Sequence, residues 1–160
     1  MAVPEQKHLL VDGANIMHAW PELRALLKRD RENARRRLSQ AMRLLHDAEA
    51  LRVTVVFDGR GEELSVEHPG GQATFAHIYT PTGTTADDVI AQLVSRARSA
   101  ADCLVATDDR GERLAIEALG AGSISSADLA TWLARADQRQ QSRLQERRRE
   151  NDAQWRAPGA

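Results

Sequence analysis

Three apolar segments of this sequence each end at an aspartate. The segments cover residues 8–11, 52–57 and 102–107, and the acids that follow them are Asp12, Asp58 and the pair Asp108 and Asp109. Helical patterns separate the segments, and strands that alternate with helices favour a parallel α/β sheet. Ligands of such sheets gather at the carboxyl ends of the strands. The sequence therefore predicts several carboxylates along one edge of a parallel sheet.

Local patterns predict the remaining elements of a single domain, which suits a chain of 160 residues. Strands are expected at 8–12, 52–57, 73–79 and 102–107, and helices at about 31–51, 85–99 and 110–119. The segment that begins with "ISSADL" predicts a short strand or turn, an N-cap serine and a long final helix. We expect the domain to span 1–150, including this arginine-rich helix, and a frayed tail to follow at 151–160.

Composition excludes several classes of protein. No stretch approaches the roughly 18 apolar residues of a membrane helix, and the first residues lack a secretory pattern, so we expect a cytoplasmic protein with no membrane partner. The single cysteine, Cys103, excludes an internal disulfide and a cysteine-based zinc cluster. The segment "PTGTT" lacks the Gly-Lys-Ser/Thr of a nucleotide-binding P-loop.

Two further acids, Asp87 and Asp88, begin a predicted helix. One interpretation is purely structural, because acids in a first turn favour the helix dipole and a preceding threonine can cap it. The helix would, however, begin beside the strand ends that carry Asp12 and Asp109, and crowded carboxylates destabilise a fold unless a cation neutralises them. Carboxylates with an amide such as that of Asn15 suit Mg²⁺ or Mn²⁺ rather than zinc. Metal-assisted phosphodiester hydrolysis requires such a cluster.

Four segments in order resemble the YacP-like branch of the NYN (PIN-like) ribonuclease superfamily. They are "LLVDGANIMHAWPELRALL", "VVFDG", "TTADDVI" and "VATDDRGERLAI", of which the first is the most specific. The similarity covers nearly the whole chain. It implies a three-layer α/β/α PIN-like fold with a mainly parallel central sheet and a long C-terminal helix. It also implies a divalent metal and endoribonucleolytic cleavage of single-stranded RNA.

The resemblance implies roles for individual residues. It matches the catalytic set to Asp12, Asn15, Asp87 and Asp109, with the three aspartates as metal ligands and the asparagine positioning metal or phosphate. Secondary positions are Asp58, Asp88, Thr107, Asp108 and Glu112. Thr107 sets the register of the fourth-strand motif, which makes Asp109 rather than Asp108 the family acid. Thr107 is also expected to position water or phosphate. Asp58 either braces the site or binds the metal.

Arginines are concentrated in two stretches of a chain whose net charge is only −1. One stretch spans residues 24–37 and the other spans residues 135–149. In the second stretch, Arg139, Arg143 and Arg147 share one helix face at four-residue spacing, and we expect them to bind RNA phosphates. The alternative is that both stretches are simply solvated helix faces.

The expected function is therefore a Mg²⁺- or Mn²⁺-dependent endoribonuclease that acts on mRNA, either alone or on the ribosome. Family chemistry predicts products with 5′-phosphate and 3′-hydroxyl ends. A catalytically silent RNA- or ribosome-binding adaptor on the same fold is the alternative. The complete acid set argues against it, because a binder gains nothing from carboxylates held against a phosphate. A haloacid dehalogenase-type phosphatase needs a second aspartate at the position of Ala14. The sequence leaves the oligomeric state open.

Overall fold

The computed structural model describes residues 4, 6–59 and 61–156, the last by its backbone alone. The strands are β1 (His8–Asp12), β2 (Arg52–Asp58), β3 (Ser65–Glu67), β4 (Phe75–Thr80), β5 (Cys103–Ala106) and β6 (Gly122–Ile124). The helices are α1 (Gly13–Ala19), α2 (Pro21–Leu27), α3 (Arg31–Glu49), α4 (Ala86–Arg96), α5 (Arg110–Ala118) and α6 (Ser126–Arg156). Short 3₁₀ turns occupy Pro69–Gly71 and Ala100–Asp102.

The six strands form one sheet in the order β3-β4-β2-β1-β5-β6. All neighbouring pairs are parallel except β3 and β4, which are antiparallel. Strand β1 lies between β2 and β5, with Leu10 opposite both Thr54 and Val105. The chain leaves β1 towards β2 and later returns to its other side, so a topological switch point lies between β1 and β5, where ligands of open sheets bind. The predicted alignment of strand ends along one edge is therefore confirmed.

Helices cover both faces of the sheet, which gives the expected α/β/α layers. Leu10 and Val11 are fully buried and point to opposite faces. Val11 packs in a core that includes Leu38 of α3 and Trp132 of α6, whereas Leu10 packs with Ile90 of α4. Central parallel strands are apolar on both faces because each face is covered by helices.

Some elements differ from the sequence-based expectations. Helices α1 and α2 were not predicted, nor was the three-residue edge strand β3. The N-cap serine is Ser125, whose Oγ accepts a hydrogen bond from the Asp128 N–H at 3.1 Å. Helix α6 continues to Arg156, six residues past the boundary expected at 150, and residues 157–160 of the expected tail lie outside the described residues. None of the described helices is both long and apolar enough to cross a membrane.

Candidate active site

Asp12 ends β1 and caps α1. Its Oδ1 accepts a hydrogen bond from the Asn15 N–H at 3.3 Å, and the residue is only 8% exposed. The next residue is Gly13, where a Cβ would lie 2.7 Å from Cδ1 of Phe57 and 2.8 Å from the carbonyl oxygen of Val56. Real Cβ atoms do not approach so closely, so the glycine allows α1 to begin directly against the end of β2. The sequence "VDGAN" therefore places a carboxylate at the sheet edge and starts a helix there.

Asn15 connects this corner to the loop that follows β5. Its Oδ1 accepts a hydrogen bond from the Asp108 N–H at 2.8 Å, across 93 positions of the chain. The interaction holds the ends of β1 and β5 together at the switch point. Contact between the Asn15 amide and a metal or phosphate stays a prediction.

Thr107 organises the acids that follow β5. Its fully buried Oγ1 donates to Oε2 of Glu112 at 2.8 Å and accepts from the Asp109 N–H at 3.2 Å. Asp109 in turn caps α5, because its Oδ1 accepts from the Glu112 N–H at 3.0 Å. Thr107 is thus enclosed by protein and positions these two acids from within, and a contact of its hydroxyl with water or phosphate stays a prediction.

Glu112 is the most strongly perturbed acid of the group. It is 5% exposed, and its Oε1 is buried without a hydrogen-bond partner among the described residues. Burial, and next the interaction with Asp12, raise the pKa of Glu112 to about 9, while the hydrogen bond from Thr107 acts in the opposite direction. Burial also raises the pKa of Asp12. At neutral pH, without a bound cation, Glu112 therefore holds a proton beside Asp12.

The family resemblance implied only a secondary role for Glu112. The spacing Asp109-x-x-Glu112 is that of a capping box, in which the glutamate would reach back to the cap. Here the Asp109 N–H is bound by Thr107 instead, and the Glu112 side chain is turned towards Asp12. The spacing in the sequence indicated a helix cap, and it did not indicate that Glu112 lies beside Asp12 at the end of β1.

Asp87 and Asp58 add further negative charge to this edge. Both are exposed. Asp87 lies in the first turn of α4, and its charge raises the pKa of both Asp12 and Glu112. Asp58 raises the pKa of Asp12 as well. Asp12, Glu112, Asp87 and Asp58 thus form one electrostatic group drawn from four segments of the chain.

Asp88 and Asp108 have structural contacts. Thr85 caps α4 by accepting a hydrogen bond from the Asp88 N–H at 3.3 Å, as the structural interpretation expected. The two carboxylate oxygens of Asp108 accept from the N–H and the Oγ–H of Ser126, at 2.7 and 2.6 Å. Asp108 therefore anchors the start of α6.

The donors at this edge fit a hard divalent cation by their chemistry. No three of the described His, Cys, Asp and Glu side chains converge closely enough to enclose a metal ion. The nearby ligands are nevertheless oxygens, and Oε1 of Glu112 is buried without a partner. Within the described part of the chain, Asp12, Asp87 and Glu112 form no ion pair with lysine or arginine. A bound cation would allow these acids to be ionised together.

The three arginines predicted to bind RNA differ in their surroundings. Arg139 forms an ion pair with Glu49 of α3, and the same carboxylate accepts a hydrogen bond from Nε1 of Trp132 at 3.2 Å. Arg143 and Arg147 lie in the part of α6 where every side chain is exposed. Arg139 therefore helps to attach α6 to α3, and the other two are available to solvent.

The family model of the YacP-like NYN domain matches residues 9–158. The chain belongs to the YacP-like NYN domain family. NYN domains are generally ribonucleases of the PIN-like superfamily, which generally uses divalent metals. The family therefore indicates a ribonuclease-type function for this chain.

Relatives in Bacillus subtilis support membership of the YacP-like NYN family. The uncharacterized protein YacP of strain 168 is 35% identical over 122 residues, which cover 76% of this chain and 71% of the relative. The crystal structure of Rae1 (YacP) is 32% identical, with a TM-score of 0.75, and the match covers 91% of this chain and 83% of that chain. A variant of Rae1 with one tryptophan replaced by leucine is 31% identical, with a TM-score of 0.76, and the match covers 91% and 86% of the two chains.

Proposed function

We propose that this chain is a divalent-metal-dependent endoribonuclease that hydrolyses phosphodiester bonds in single-stranded RNA. The proposed substrate is cytoplasmic mRNA, cleaved either free or on the ribosome. Water attacks the phosphorus, the bond to the 3′-oxygen breaks, and that oxygen takes up a proton. The products then carry 5′-phosphate and 3′-hydroxyl ends.

One observation carries the proposal. Asp12 and Glu112 are buried against each other at the switch point of the sheet, and burial together with the nearby charge of Asp87 disfavours the ionised form of both. Such an arrangement costs stability in the absence of a counter-ion, and a binding protein would derive no benefit from it. The need to hold a cation against a phosphate explains why the fold keeps these acids together.

The side chains have two proposed roles, which are to bind the metal and to hold its ligands in position. Asp12, Asp87 and Asp109 would hold a Mg²⁺ or Mn²⁺ ion, and the unpartnered Oε1 of Glu112 is a further oxygen donor at the same place. When bound, such a cation lowers the pKa of a nearby water and offsets charge on the phosphate. Thr107 and Asn15 keep the acids in position through the hydrogen bonds described above.

The test is cleavage of a labelled single-stranded RNA by the purified protein, with Mn²⁺ and with EDTA. We expect internal cleavage with Mn²⁺, none with EDTA, and none by Asp12→Asn in either condition. Asp88→Asn is the matched control, because it removes a neighbouring acid outside the proposed ligand set. Cleavage by Asp12→Asn at the rate of the unaltered protein would refute the proposal.

The same assay distinguishes the alternatives. Cleavage of translated mRNA but not of free RNA would indicate that the ribosome presents the substrate. RNA or ribosome binding without cleavage in either setting would indicate the catalytically silent adaptor.

A further inference from the structure

A small cavity with a mainly cationic wall lies beside the carboxylate edge of the sheet. It has a volume of about 250 Å³. Its polar wall consists of His18, Arg24, Lys28, Arg31, Arg35 and Asp58. The remaining lining is apolar and includes Met17 and Leu27. A single carboxylate therefore faces four permanently cationic side chains.

The short helices of this region bring the cations together. Helix α2 ends at Leu27 and is followed by Lys28, so Arg24 and Lys28 are four residues apart and project from the same side. Arg31 begins α3 directly after the intervening turn. Like charges placed so closely repel one another, and their field attracts an anion. The cations around the turn between α2 and α3 thus form a site that attracts negative charge.

Arg35 forms a fixed part of the wall. Its Nη2 donates to the carbonyl oxygen of Asp58 at 2.7 Å, and its Nη1 donates to Glu32 at 3.3 Å. The guanidinium carbon lies 5.5 Å from the ring centroid of Phe57 and 5.8 Å from that of Tyr79. These contacts hold the guanidinium in place before any ligand binds, which lowers the entropic cost of binding.

The cavity lies next to the candidate active site. Ala14, two residues after Asp12, is part of its lining. Asp58 also lines it, and the charge of Asp58 is close enough to Asp12 to raise the pKa of that acid. A strand whose phosphodiester lies at Asp12 would therefore bring a neighbouring part of its backbone to the cationic wall.

We propose that this cavity binds one phosphate of the RNA strand, next to the phosphodiester that is hydrolysed. The proposal rests on the proposed function and adds the site that sets the position of the strand. Guanidinium groups match phosphate oxygens in geometry and charge. The volume lies below the roughly 300–1,000 Å³ of sites for drug-sized ligands, which suits a phosphate with its sugar.

The test compares two doubly substituted proteins of equal net charge. Arg24→Ala/Lys28→Ala removes two exposed cations of the cavity wall, and Arg96→Ala/Arg98→Ala removes two exposed cations at the far end of α4, beside the opposite edge of the sheet. Binding of a single-stranded RNA of about ten nucleotides is measured in EDTA by fluorescence anisotropy at several salt concentrations. We expect several-fold weaker binding for Arg24→Ala/Lys28→Ala, the cavity variant. Its slope of log affinity against log salt concentration should be smaller by about 0.7, the value for one phosphate contact. The control should bind like the unaltered protein.

A scan of the RNA tests whether the contact is to one phosphate. Each linkage in turn is replaced by an uncharged methylphosphonate. One position should weaken binding to the unaltered protein and have no effect on the cavity variant. Equal losses for the two doubly substituted proteins, or a scan without such a position, would overturn the proposal. If the double variant fails to fold, Lys28→Gln is used, since this side chain is exposed.

Failure of this proposal is distinguishable from failure of the proposed function. Should the cavity variant bind RNA with undiminished affinity while the unaltered protein cleaves RNA with Mn²⁺, only the phosphate site is refuted. Should the unaltered protein neither bind nor cleave RNA, both proposals are refuted.

Discussion

The carboxylates of Asp108 and Asp109, adjacent in the chain, bind the beginnings of different helices. Asp109 accepts from the Glu112 N–H at the start of α5, and Asp108 accepts from the Ser126 N–H and Oγ–H at the start of α6. The register of the motif assigned the catalytic role to Asp109. Asp109 belongs to the network of Thr107 and Glu112 and Asp108 does not, while the catalytic role of Asp109 stays a prediction.

Asparagine substitutions separate these two neighbours. Asp109→Asn should abolish cleavage but keep the fold, because the amide oxygen can still cap α5 while the charge is lost. Asp108→Asn should retain a substantial part of the cleavage rate and lower the melting temperature slightly, since one bond to Ser126 is weakened. Cleavage rates with Mn²⁺ and melting curves check both. The opposite ranking would show that the motif register is wrong by one residue.

Melting experiments on Asp12→Asn test the metal site through stability. Without metal, removal of one charge relieves repulsion, so the variant should melt at the same temperature as the unaltered protein or higher. A ligand that binds only the folded state stabilises it by about 2.7 kcal/mol at a hundredfold excess over Kd. The unaltered protein should therefore gain much more on addition of Mn²⁺ than the variant. A destabilised variant with an undiminished Mn²⁺ shift would contradict the metal assignment.

The raised pKa of Glu112 predicts how stability depends on pH without metal. Its pKa is 4.5 ordinarily and about 9 in the fold, so the folded chain binds the extra proton between these values. This contribution to stability is complete below pH 4.5 and is lost as the pH rises through about 9. Glu112→Gln cannot ionise, so its free energy of unfolding should decline less between pH 5 and 9 in EDTA. Urea titrations at several pH values measure the difference, and parallel curves for the two proteins would contradict the assignment.

Substitutions on α6 separate RNA binding from helix attachment. Arg143→Ala/Arg147→Ala should weaken RNA binding and flatten its salt dependence, because both side chains are exposed. Arg139→Ala should instead lower stability by about 0.2–1 kcal/mol, as expected for a partly exposed ion pair with Glu49. Anisotropy titrations and urea melts check the two effects. If the double variant binds RNA with unchanged affinity and an unchanged salt slope, this part of α6 is only a solvated helix face.

The sequence predicted the strands best. β1, β2, β4 and β5 lie within two residues of their expected ends, because buried parallel strands are continuous apolar runs. Helices α1 and α2 were missed, since each has seven residues and forms through tertiary contacts such as the hydrogen bond from Nε1 of Trp20 to the carbonyl oxygen of Ser126. The edge strand Ser65–Glu67 is exposed throughout and has no apolar pattern.

The candidate site was predictable in its residue types but not in its pairings. Strand ends that carry Asp12, Asp58 and Asp109 can be read from the sequence. The approach of Glu112 to Asp12 depends on the pairing of β1 with β5, in which His8 lies opposite Cys103. Sequence patterns describe which face a residue occupies, whereas the partner strand and its register follow from packing of the whole chain.

The exposed part of helix α6 fixes the position of any partner that binds along it. Its residues 141–155 are exposed at every position, and 15 helical residues extend about 22 Å. This segment is a rigid spacer that fixes both the distance and the angular phase of Arg143 and Arg147 relative to the sheet. Inserting seven helical residues between Gln140 and Gln141 would lengthen the spacer by about 10 Å and nearly preserve its phase, whereas inserting two would turn the basic face by about 200°. A partner that contacts both the helix and the sheet edge would tolerate the two insertions differently.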